Sequence, residues 1–369
     1  MRSIFAILIL FLFSGSTVSG QSWGNSVQEI LQAQYSQNNF EGLVLLAVDH
    51  QPKLEWSCGF ANRDSGKVLD INTRFALGEI TQYLTALEIL ILVEEERISL
   101  SDTISTLLPH LSLPRGNLTT VEHLLRHTSG YPQELEASYA MRNSPRIIIE
   151  RALEDKKRIA KLGTYTKSNL NYLLLGMIIE ETTAQSWKDA MSEDIIGKLS
   201  LENTGFLKWD EYPENWADGH THTDSSGWSS INLSHIENYF SAGAMYSTVK
   251  DLLLIDKAIQ SGKLPNPMDL WTRGISTKYP KEDLAGFRAF NYPFSIDNPL
   301  LIERYSNFSG TQVAWIYIPS SGSTIVIMSN VPHTDLHSYG NLANIKEQLI
   351  LKMTSCGDYH IEPCEDQIR

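Results

Sequence analysis

The sequence predicts an α+β fold in which one antiparallel β-sheet is flanked by N- and C-terminal helices and a mostly helical lobe is inserted. Two observations carry this prediction. Strand patterns and helical patterns occupy both ends of the chain, whereas its middle third alternates short helical patterns with loops rich in Pro, Gly, Ser and Asn. The 369 residues, 42% of them hydrophobic, supply enough apolar surface for a large core.

The first elements predicted after the N-terminus are a helix, a hairpin and a buried helix. Apolar residues at helical spacing predict a short helix within 26–35. Residues 43–48 are a continuous apolar run, which is typical of a strand buried on both faces, and 53–61 has the pattern of its hairpin partner. Apolar positions are too dense within 80–93 for a surface helix, so we expect this helix in the core.

Strand patterns resume in the last third of the chain, at residues 287–294, 300–305, 312–318 and 323–329. The sequence Pro-Ser-Ser-Gly at 319–322 predicts a turn that joins the last two of these strands as a hairpin. An amphipathic pattern over 342–353 predicts a closing helix.

The N-terminus predicts export. Arg2 is followed by an apolar run at 4–13 and then by small polar residues, which is the pattern of a signal peptide at 1–20, cleaved near Gln21. A run of about ten apolar residues is too short to cross a bilayer as a helix, so we predict no membrane span after signal cleavage. The predicted location is secreted or periplasmic.

The patterns predict one large domain of two lobes after the signal peptide. The expected bounds are 21–355 for the domain, about 24–95 and 247–355 for its α/β lobe, about 96–246 for its helical lobe, and 356–369 for a C-terminal tail. The formal net charge of -13 and the absence of any block of Lys and Arg exclude a nucleic-acid partner.

Three cysteines have two predicted roles. Cys356 and Cys364 close a short loop in the tail, and in an oxidising compartment they are expected to form a disulfide. Cys58 lies in a strand pattern and is predicted to be a buried structural thiol.

The stretch LTTVEHLLRHTSGY at 118–131 resembles a segment of the serine β-lactamase and penicillin-binding-protein-like superfamily, in particular the class C β-lactamase-related serine hydrolases. Other segments are similar to further landmarks of that family in the same order: FALGEITQYLTALEILILVEEERISLSD at 75–102, GTYTKSNLNYLLLG at 163–176, AGAMYSTVKDL at 242–252, and residues 309–330. The resemblance covers about 28–353, and it implies the same two-lobed fold.

The resemblance also implies three motifs that meet between the lobes. In the first, ser-x-x-lys, the serine attacks an acyl donor and the lysine one helical turn later accepts its proton. In the second, a Tyr two residues before an Asn relays protons. In the third, a basic residue or His followed by x-Gly lines the pocket on a strand and helps to place the oxyanion donors.

Every reactive position of these motifs is replaced in this chain. The first motif has Glu79 in place of the serine and Gln82 in place of the lysine. The second has Lys167 in place of the tyrosine and keeps the Asn, reading Lys167, Ser168, Asn169. The third has Phe in place of the cation, reading Phe308, Ser309, Gly310, Thr311.

The paired replacements suggest a rebuilt pocket. A carboxylate at the nucleophile position and an amine on the facing loop predict a salt bridge between Glu79 and Lys167, hydrogen-bonded by Gln82 and Asn169. A buried carboxylate without such a partner would cost several kcal/mol.

Several other residues suit either a functional or a structural role. Ser129 with His127, and Ser168 beside Lys167, are possible nucleophiles, but the resemblance makes neither the attacking residue. His220 and His222, between Asp218 and Asp224, have the spacing of a metal-binding loop, yet no second ligand cluster supports them. Trp216 and Trp228 flank that loop and suit either a ligand cleft or ordinary packing. We predict no metal and no cofactor.

The sequence leaves three hypotheses about function open. The leading one is a catalytically inactive or strongly impaired homologue that keeps a scaffold or binding role, with a small-molecule, acyl-peptide or cell-wall ligand or a protein partner. The alternative is altered chemistry, as a hydrolase, lyase or isomerase, with Glu79 as general acid or base beside Lys167. The third is an ordinary serine hydrolase whose nucleophile lies elsewhere.

Overall fold

The computed structural model describes residues 18–209, 211–223, 227–231, 235–272 and 284–354. Within these residues the helices are α1 Val18–Ser36, α2 Ile80–Glu94, α3 Ile104–Leu107, α4 Val121–Leu125, α5 Pro145–Leu153, α6 Asn169–Thr183, α7 Trp187–Met191, α8 Phe240–Gly243, α9 Val249–Gln260, α10 Met268–Thr272 and α11 Ile345–Thr354. Short 3₁₀ turns lie at Glu136–Tyr139, Lys156–Arg158 and Ile236–Tyr239, and α7 continues as a π-helical segment, Ser192–Gly197.

The strands are β1 Gly42–Val48, β2 Gln51–Cys58, β3 Phe60–Asn62, β4 Lys67–Val68, β5 Phe75–Ala76, β6 Gly205–Phe206, β7 His220–Thr223, β8 Gly227–Ser230, β9 Met245–Ser247, β10 Arg288–Asn291, β11 Leu300–Phe308, β12 Thr311–Ile318 and β13 Ser323–Ser329. Six of them form the main antiparallel sheet in the order β10-β11-β12-β13-β1-β2. The α+β prediction is therefore confirmed.

Strand β1 shows why the sheet is covered on both faces. All seven of its residues are buried, and Val44 pairs with Ile327 of β13. Because side chains alternate along a strand, Leu43 and Leu45 join the core with α2 and α9, while Val44 and Leu46 join a second core with α1 and α11. The continuous apolar run in the sequence is the signature of this double burial.

Helix α2 is buried almost all round. Thirteen of its fifteen residues are buried, and it contacts α6, α8 and β11. This explains a sequence that is apolar on every face, and it confirms the predicted core helix. The N-terminus of α2 therefore lies where the sheet and the helical segments meet.

A buried ion pair ties the sheet to α9. Asp256 of α9 accepts hydrogen bonds from Arg304 of β11 and from Trp315 of β12, the latter at 2.9 Å. The guanidinium carbon of Arg304 lies 3.9 Å from the ring centroid of Trp315 and 4.7 Å from that of Tyr83 on α2. This packing fixes β11 against α2 beside the candidate site.

The other element predictions differ from the structure mainly in length. Helix α1 begins earlier than predicted, at Val18. Strand β11 extends to Phe308, because its last residues pair with β12. The turn between β12 and β13 and the closing helix are confirmed. In the described residues no helix is long and apolar enough to cross a membrane.

The structure does not test several of the predictions made from sequence. Residues 1–17 of the signal peptide and both tail cysteines lie outside the described residues, and the lobe bounds stay predictions.

Cys58 is a free, half-buried thiol whose Sγ lies 3.7 Å from the carbonyl oxygen of Phe40. Burial raises its pKa to about 12, so it is an unreactive thiol at neutral pH.

Candidate functional site

The candidate site begins at a glycine that precedes α2. Gly78 has a φ of +48°, and a Cβ placed on it would lie 2.3 Å from Ser306 Oγ and 2.5 Å from Phe308 Cβ. Only a residue without a side chain lets α2 start this close to β11. Glu79 follows as the N-cap of α2, where the helix dipole favours a carboxylate.

Glu79 is held by a hydroxyl from the neighbouring strand. Ser306 Oγ donates to Glu79 Oε2 at 2.9 Å, and Ser306 is only 3% exposed. Glu79 itself is half-buried, and its other oxygen, Oε1, is neither hydrogen-bonded to a described residue nor buried. One face of this carboxylate is therefore fixed and the other is open to solvent.

Gln82 is fixed in the same way, one helical turn into α2. Its Nε2 donates to Asn169 Oδ1 at 2.9 Å, which joins α2 to the start of α6. The sequence predicted that Gln82 and Asn169 would hydrogen-bond a pair formed by Glu79 and Lys167, whereas in the structure they bond to each other. Because an amide neither takes up nor releases a proton near neutral pH, this pair cannot act as the proton relay of the family motif.

A second carboxylate, Glu134, continues the chain of contacts. Asn169 Nδ2 donates to Glu134 Oε1 at 2.7 Å, and the Tyr139 hydroxyl donates to the same oxygen at 2.8 Å. The other oxygen, Oε2, is buried without a hydrogen-bond partner in the described residues. Sequence reasoning missed Glu134, although it follows the HTSG stretch closely.

Three aromatic rings line the same region. Tyr139 stacks on Tyr239 with ring centroids 4.2 Å apart, and Phe308 meets Tyr239 at a right angle with centroids 4.9 Å apart. Burial, followed by the charges of Glu134 and Glu79, raises the pKa of Tyr239 to about 12. Burial and Glu134 raise the pKa of Tyr139 as well, so both are neutral phenols at physiological pH.

The predicted salt bridge between Glu79 and Lys167 is wrong. These two described residues form no ion pair; Lys167 Nζ instead lies 3.5 Å from the hydroxyl of Tyr305 and 5.2 Å from the centroid of its ring. Tyr305 and Ser306 are adjacent in β11, and adjacent side chains leave a strand on opposite faces. The strand therefore separates the partner of Lys167 from the partner of Glu79.

The third predicted motif is displaced. Phe308 lines the site, but Ser309 and Gly310 are the turn between β11 and β12, with φ of +48° and +78°. Thr311 is buried and its hydroxyl donates to the Phe308 carbonyl at 2.7 Å. The strand residue that contacts Glu79 is Ser306, which the sequence assignment did not include.

The alternative nucleophiles have structural roles. Ser129 donates to Asn171 at 2.6 Å, and the Asn171 amide lies 3.0 Å from His127 Nδ1, all within the core. Ser168 is fully buried at the N-cap of α6 and donates to the Pro132 carbonyl at 2.5 Å. None of these hydroxyls faces a solvent-accessible cleft.

His220 and His222, whose spacing suits a metal-binding loop, do not belong to a metal-binding group among the described residues. His220 is 1% exposed in β7, and His222 lies against Trp228, with ring centroids 4.8 Å apart. In the part of the chain that the structure describes, no group of three His, Cys, Asp or Glu could hold a metal. Asp224 lies outside the described residues. Trp216 packs in a small cluster with Phe308.

Ser306 with Glu79 has the distance of a nucleophile and its base. Attack on an acyl carbon also needs room around the hydroxyl. Ser306 is buried, and its oxygen is pressed against Gly78. The arrangement therefore suits holding Glu79 in place and presenting its open oxygen to a ligand.

The six-stranded sheet, the buried helix whose N-terminus carries the site, and the inserted helical segments define the class of serine β-lactamase and penicillin-binding-protein-like folds. The chain matches the Beta-lactamase family model over residues 27–349, and it belongs to that family.

Known relatives agree with this assignment. The chain is 28% identical over 255 residues to the teichoic acid D-alanine hydrolase of Staphylococcus aureus strain NCTC 8325, and 30% identical over 264 residues to that of strain MRSA252. These alignments cover 68% and 69% of this chain, but only 62% and 64% of the relatives' own length.

Solved structures share the fold. FmtA from Staphylococcus aureus superimposes with a TM-score of 0.72 at 24% identity, covering 90% of both chains. The D-amino acid amidase from Ochrobactrum anthropi SV3, complexed with D-phenylalanine, gives 0.74 at 18% identity, covering 90% of this chain and 98% of the amidase.

Proposed function

We propose that this protein is a β-lactamase family member that does not carry out acyl transfer by the serine route and that keeps its pocket as a ligand-binding site. The observation that carries the proposal is the fixed state of both former catalytic positions. Glu79 is held by Ser306, and Gln82 is held by Asn169.

Acyl transfer in this family needs a hydroxyl nucleophile beside a group that takes its proton. Glu79 offers no hydroxyl, and Gln82 cannot accept a proton at neutral pH. Phe308 further fills the strand side of the pocket with an aromatic ring.

The candidate site is nevertheless partly accessible to solvent. Glu79, Asn169, Glu134 and Tyr239 are half-buried rather than enclosed. The names of the similar proteins, a teichoic acid D-alanine hydrolase and a D-amino acid amidase, support a small-molecule, acyl-peptide or cell-wall-derived ligand. Together with the predicted signal peptide, they also support an extracellular or periplasmic location; a protein partner stays a proposal of the same kind.

The test is an acylation and turnover assay on the purified chain. A fluorescent penicillin, a nitrophenyl ester and a fluorophosphonate are each incubated with the protein, and intact mass spectrometry measures any adduct. The Staphylococcus aureus teichoic acid D-alanine hydrolase serves as the reference enzyme. We expect no adduct and no turnover; a stoichiometric adduct on any serine would overturn the proposal.

A second candidate function rests on the open oxygen of Glu79. A solvent-facing carboxylate fixed on one side can act as a general base on a bound substrate or water. In that case turnover of an ester or amide would be present in the wild type and abolished in Glu79→Gln. Turnover that survives this substitution would exclude Glu79 as the base.

A further inference from the structure

We infer that this protein binds a neutral saccharide in a second cleft, which is lined in part by the β7–β8 hairpin. This saccharide cleft has a volume of about 640 Å³, which is in the range of small-molecule sites. The described residues that line it include Glu41, Arg63, His222, Trp228 and His333. Because none of its described lining residues belongs to the Glu79 site, the saccharide cleft and the proposed function can be tested separately.

An ion pair supplies the cleft with a hydrogen-bond donor and an acceptor side by side. Arg63 Nη2 donates to Glu41 Oε2 at 2.6 Å. Glu41 is only 9% exposed, yet its other oxygen, Oε1, is neither sealed from solvent nor hydrogen-bonded to a described residue. Nη1 of Arg63 is open in the same way. A ligand in the cleft can therefore reach one free acceptor and one free donor that belong to the same pair.

The ion pair is held in place without a ligand. Gly59 lies directly against Glu41, since a Cβ added to Gly59 would lie 2.3 Å from Glu41 Oε2. The guanidinium carbon of Arg63 lies 3.8 Å from the ring centroid of Trp228 and 5.4 Å from that of Phe60. Both side chains of the pair are largely buried, unlike those of a solvated surface ion pair. Polar groups that are already fixed lose little conformational entropy when a ligand binds.

The paired charges favour a ligand without a net charge. A cation attracted by Glu41 is repelled by Arg63, and an anion attracted by Arg63 is repelled by Glu41. Partial burial lowers the pKa of His333, so its imidazole is neutral at physiological pH. A hydroxyl group donates one hydrogen bond and accepts others, so it can use both members of the pair at once. Neighbouring hydroxyls on a saccharide ring repeat this combination of donor and acceptor.

Aromatic rings supply the apolar part of the cleft. The ring centroid of Trp228 lies 4.8 Å from that of His222 and 5.9 Å from that of His333. The C–H face of a saccharide ring can pack against such rings while its hydroxyls reach the ion pair. An amino-acid zwitterion gains less, because the charges of Glu41 and Arg63 already compensate each other at 2.6 Å. The sequence left Trp228 suited to either a ligand cleft or packing, and the structure places it in a cleft.

Isothermal titration of the wild-type chain tests the class of ligand. The neutral probes are two trisaccharides, triacetylchitotriose and maltotriose, which differ in whether they carry acetamido groups. We expect at least one of them to bind saturably with a Kd of about 1 mM or tighter. Phenylalanine is the zwitterionic competitor, and it should not displace the bound trisaccharide. Absence of binding by both trisaccharides, or displacement by phenylalanine, would overturn the inference.

Variants locate the binding to the cleft. Glu41→Gln keeps the shape of the side chain but removes the charged acceptor, and it should weaken trisaccharide binding at least about tenfold. Trp228→Ala removes a half-buried ring and should have an effect of at least the same size. The matched control is Trp209→Ala, because this indole is 44% exposed and is not among the residues that line the cleft. It should leave binding unchanged.

The outcomes keep the cleft apart from the proposed function. Urea unfolding of each variant shows whether it is folded, and Trp228→Ala keeps the test decisive if Glu41→Gln is not. Full-strength binding in the folded cleft variants would place the saccharide elsewhere and overturn the assignment. A covalent adduct in the acylation assay would contradict the proposed function and leave the saccharide cleft standing.

Discussion

Two glutamates of one helix have opposite surroundings. Glu79, at the N-terminus of α2, receives a hydroxyl donor and faces solvent on its other side. Glu88, in the middle of α2, is 0% exposed, and no described residue donates a hydrogen bond to either of its oxygens. Burial first, and then the charge of Asp194, raise the pKa of Glu88 to about 8.

The difference shows that a carboxylate in a core helix marks a site only where the structure solvates it or gives it partners. Glu88 avoids the cost of a buried charge by keeping its proton at neutral pH. Glu79 has a donor, the helix dipole and solvent. The sequence marks Glu79 through its motif position, but composition alone does not show that Glu88 is buried without a donor.

The largest expected effect tests the Glu88 side of this comparison. Glu88 is protonated in both states below its unfolded pKa of about 4.5, so it carries no penalty there. As the pH rises from about 4.5 to about 8, the unfolded chain ionises first and the native state loses stability. Glu88→Met should therefore stabilise the protein at pH 8 by up to about 5 kcal/mol, and by much less at pH 4.5.

Urea unfolding of both proteins across this pH range gives the measurement. The control is Glu154→Met, at the exposed residue that follows α5, which should show no such pH-dependent gain. A gain from Glu88→Met that is the same at every pH would mean that Glu88 does not carry the proton.

The next effect concerns the other end of α2. Gly78→Ala places a Cβ against Ser306 and Phe308 and also forces Ala into positive φ, so it should cost about 3 kcal/mol or more. Gly66→Ala is the matched control, because Gly66 has a φ of +69° with nothing within 4 Å of the added Cβ, and should cost about 1 kcal/mol. Equal losses in urea unfolding would show that contact with β11 does not constrain the site.

Much of the fold could be predicted because its signals are local. The seven buried residues of β1 and the apolar surface of α2 can be seen in short windows of sequence, and the HTSG stretch carries the family resemblance. The full extent of β11 could not be predicted, since its last residue, Phe308, is defined by pairing with Thr311 of β12.

The residues of the candidate site could be predicted only where a motif position marks them. Glu79, Gln82 and Asn169 follow from motif positions, and the contact of the last two is present. Ser306 is 227 residues from Glu79, and no motif position pointed to it. The predicted salt bridge is absent because Lys167 contacts Tyr305 and Glu79 contacts Ser306, and charge complementarity between motif positions does not reveal these separate contacts.

A smaller loss of stability is expected when the Ser306 hydroxyl, which donates to Glu79 at the N-terminus of α2, is removed. Ser306→Ala removes the only described hydrogen bond of the Glu79 carboxylate and should lower stability by about 1–2 kcal/mol. Ser57→Ala, in β2, has no side-chain hydrogen bond among the described residues and should cost less than about 0.5 kcal/mol. If the two substitutions cost the same in urea unfolding, the Ser306 hydroxyl does not hold Glu79.

The smallest expected effect is a coupling close to zero. In a double-mutant cycle of Glu79→Gln and Lys167→Met, the two losses of stability should add to within about 0.5 kcal/mol, because Lys167 contacts Tyr305 and Glu79 contacts Ser306. Parallel cycles with Ser306→Ala supply the positive reference, since Glu79 and Ser306 share a hydrogen bond and should couple. A coupling of about 2 kcal/mol between Glu79 and Lys167 would restore the ion pair that the sequence suggested.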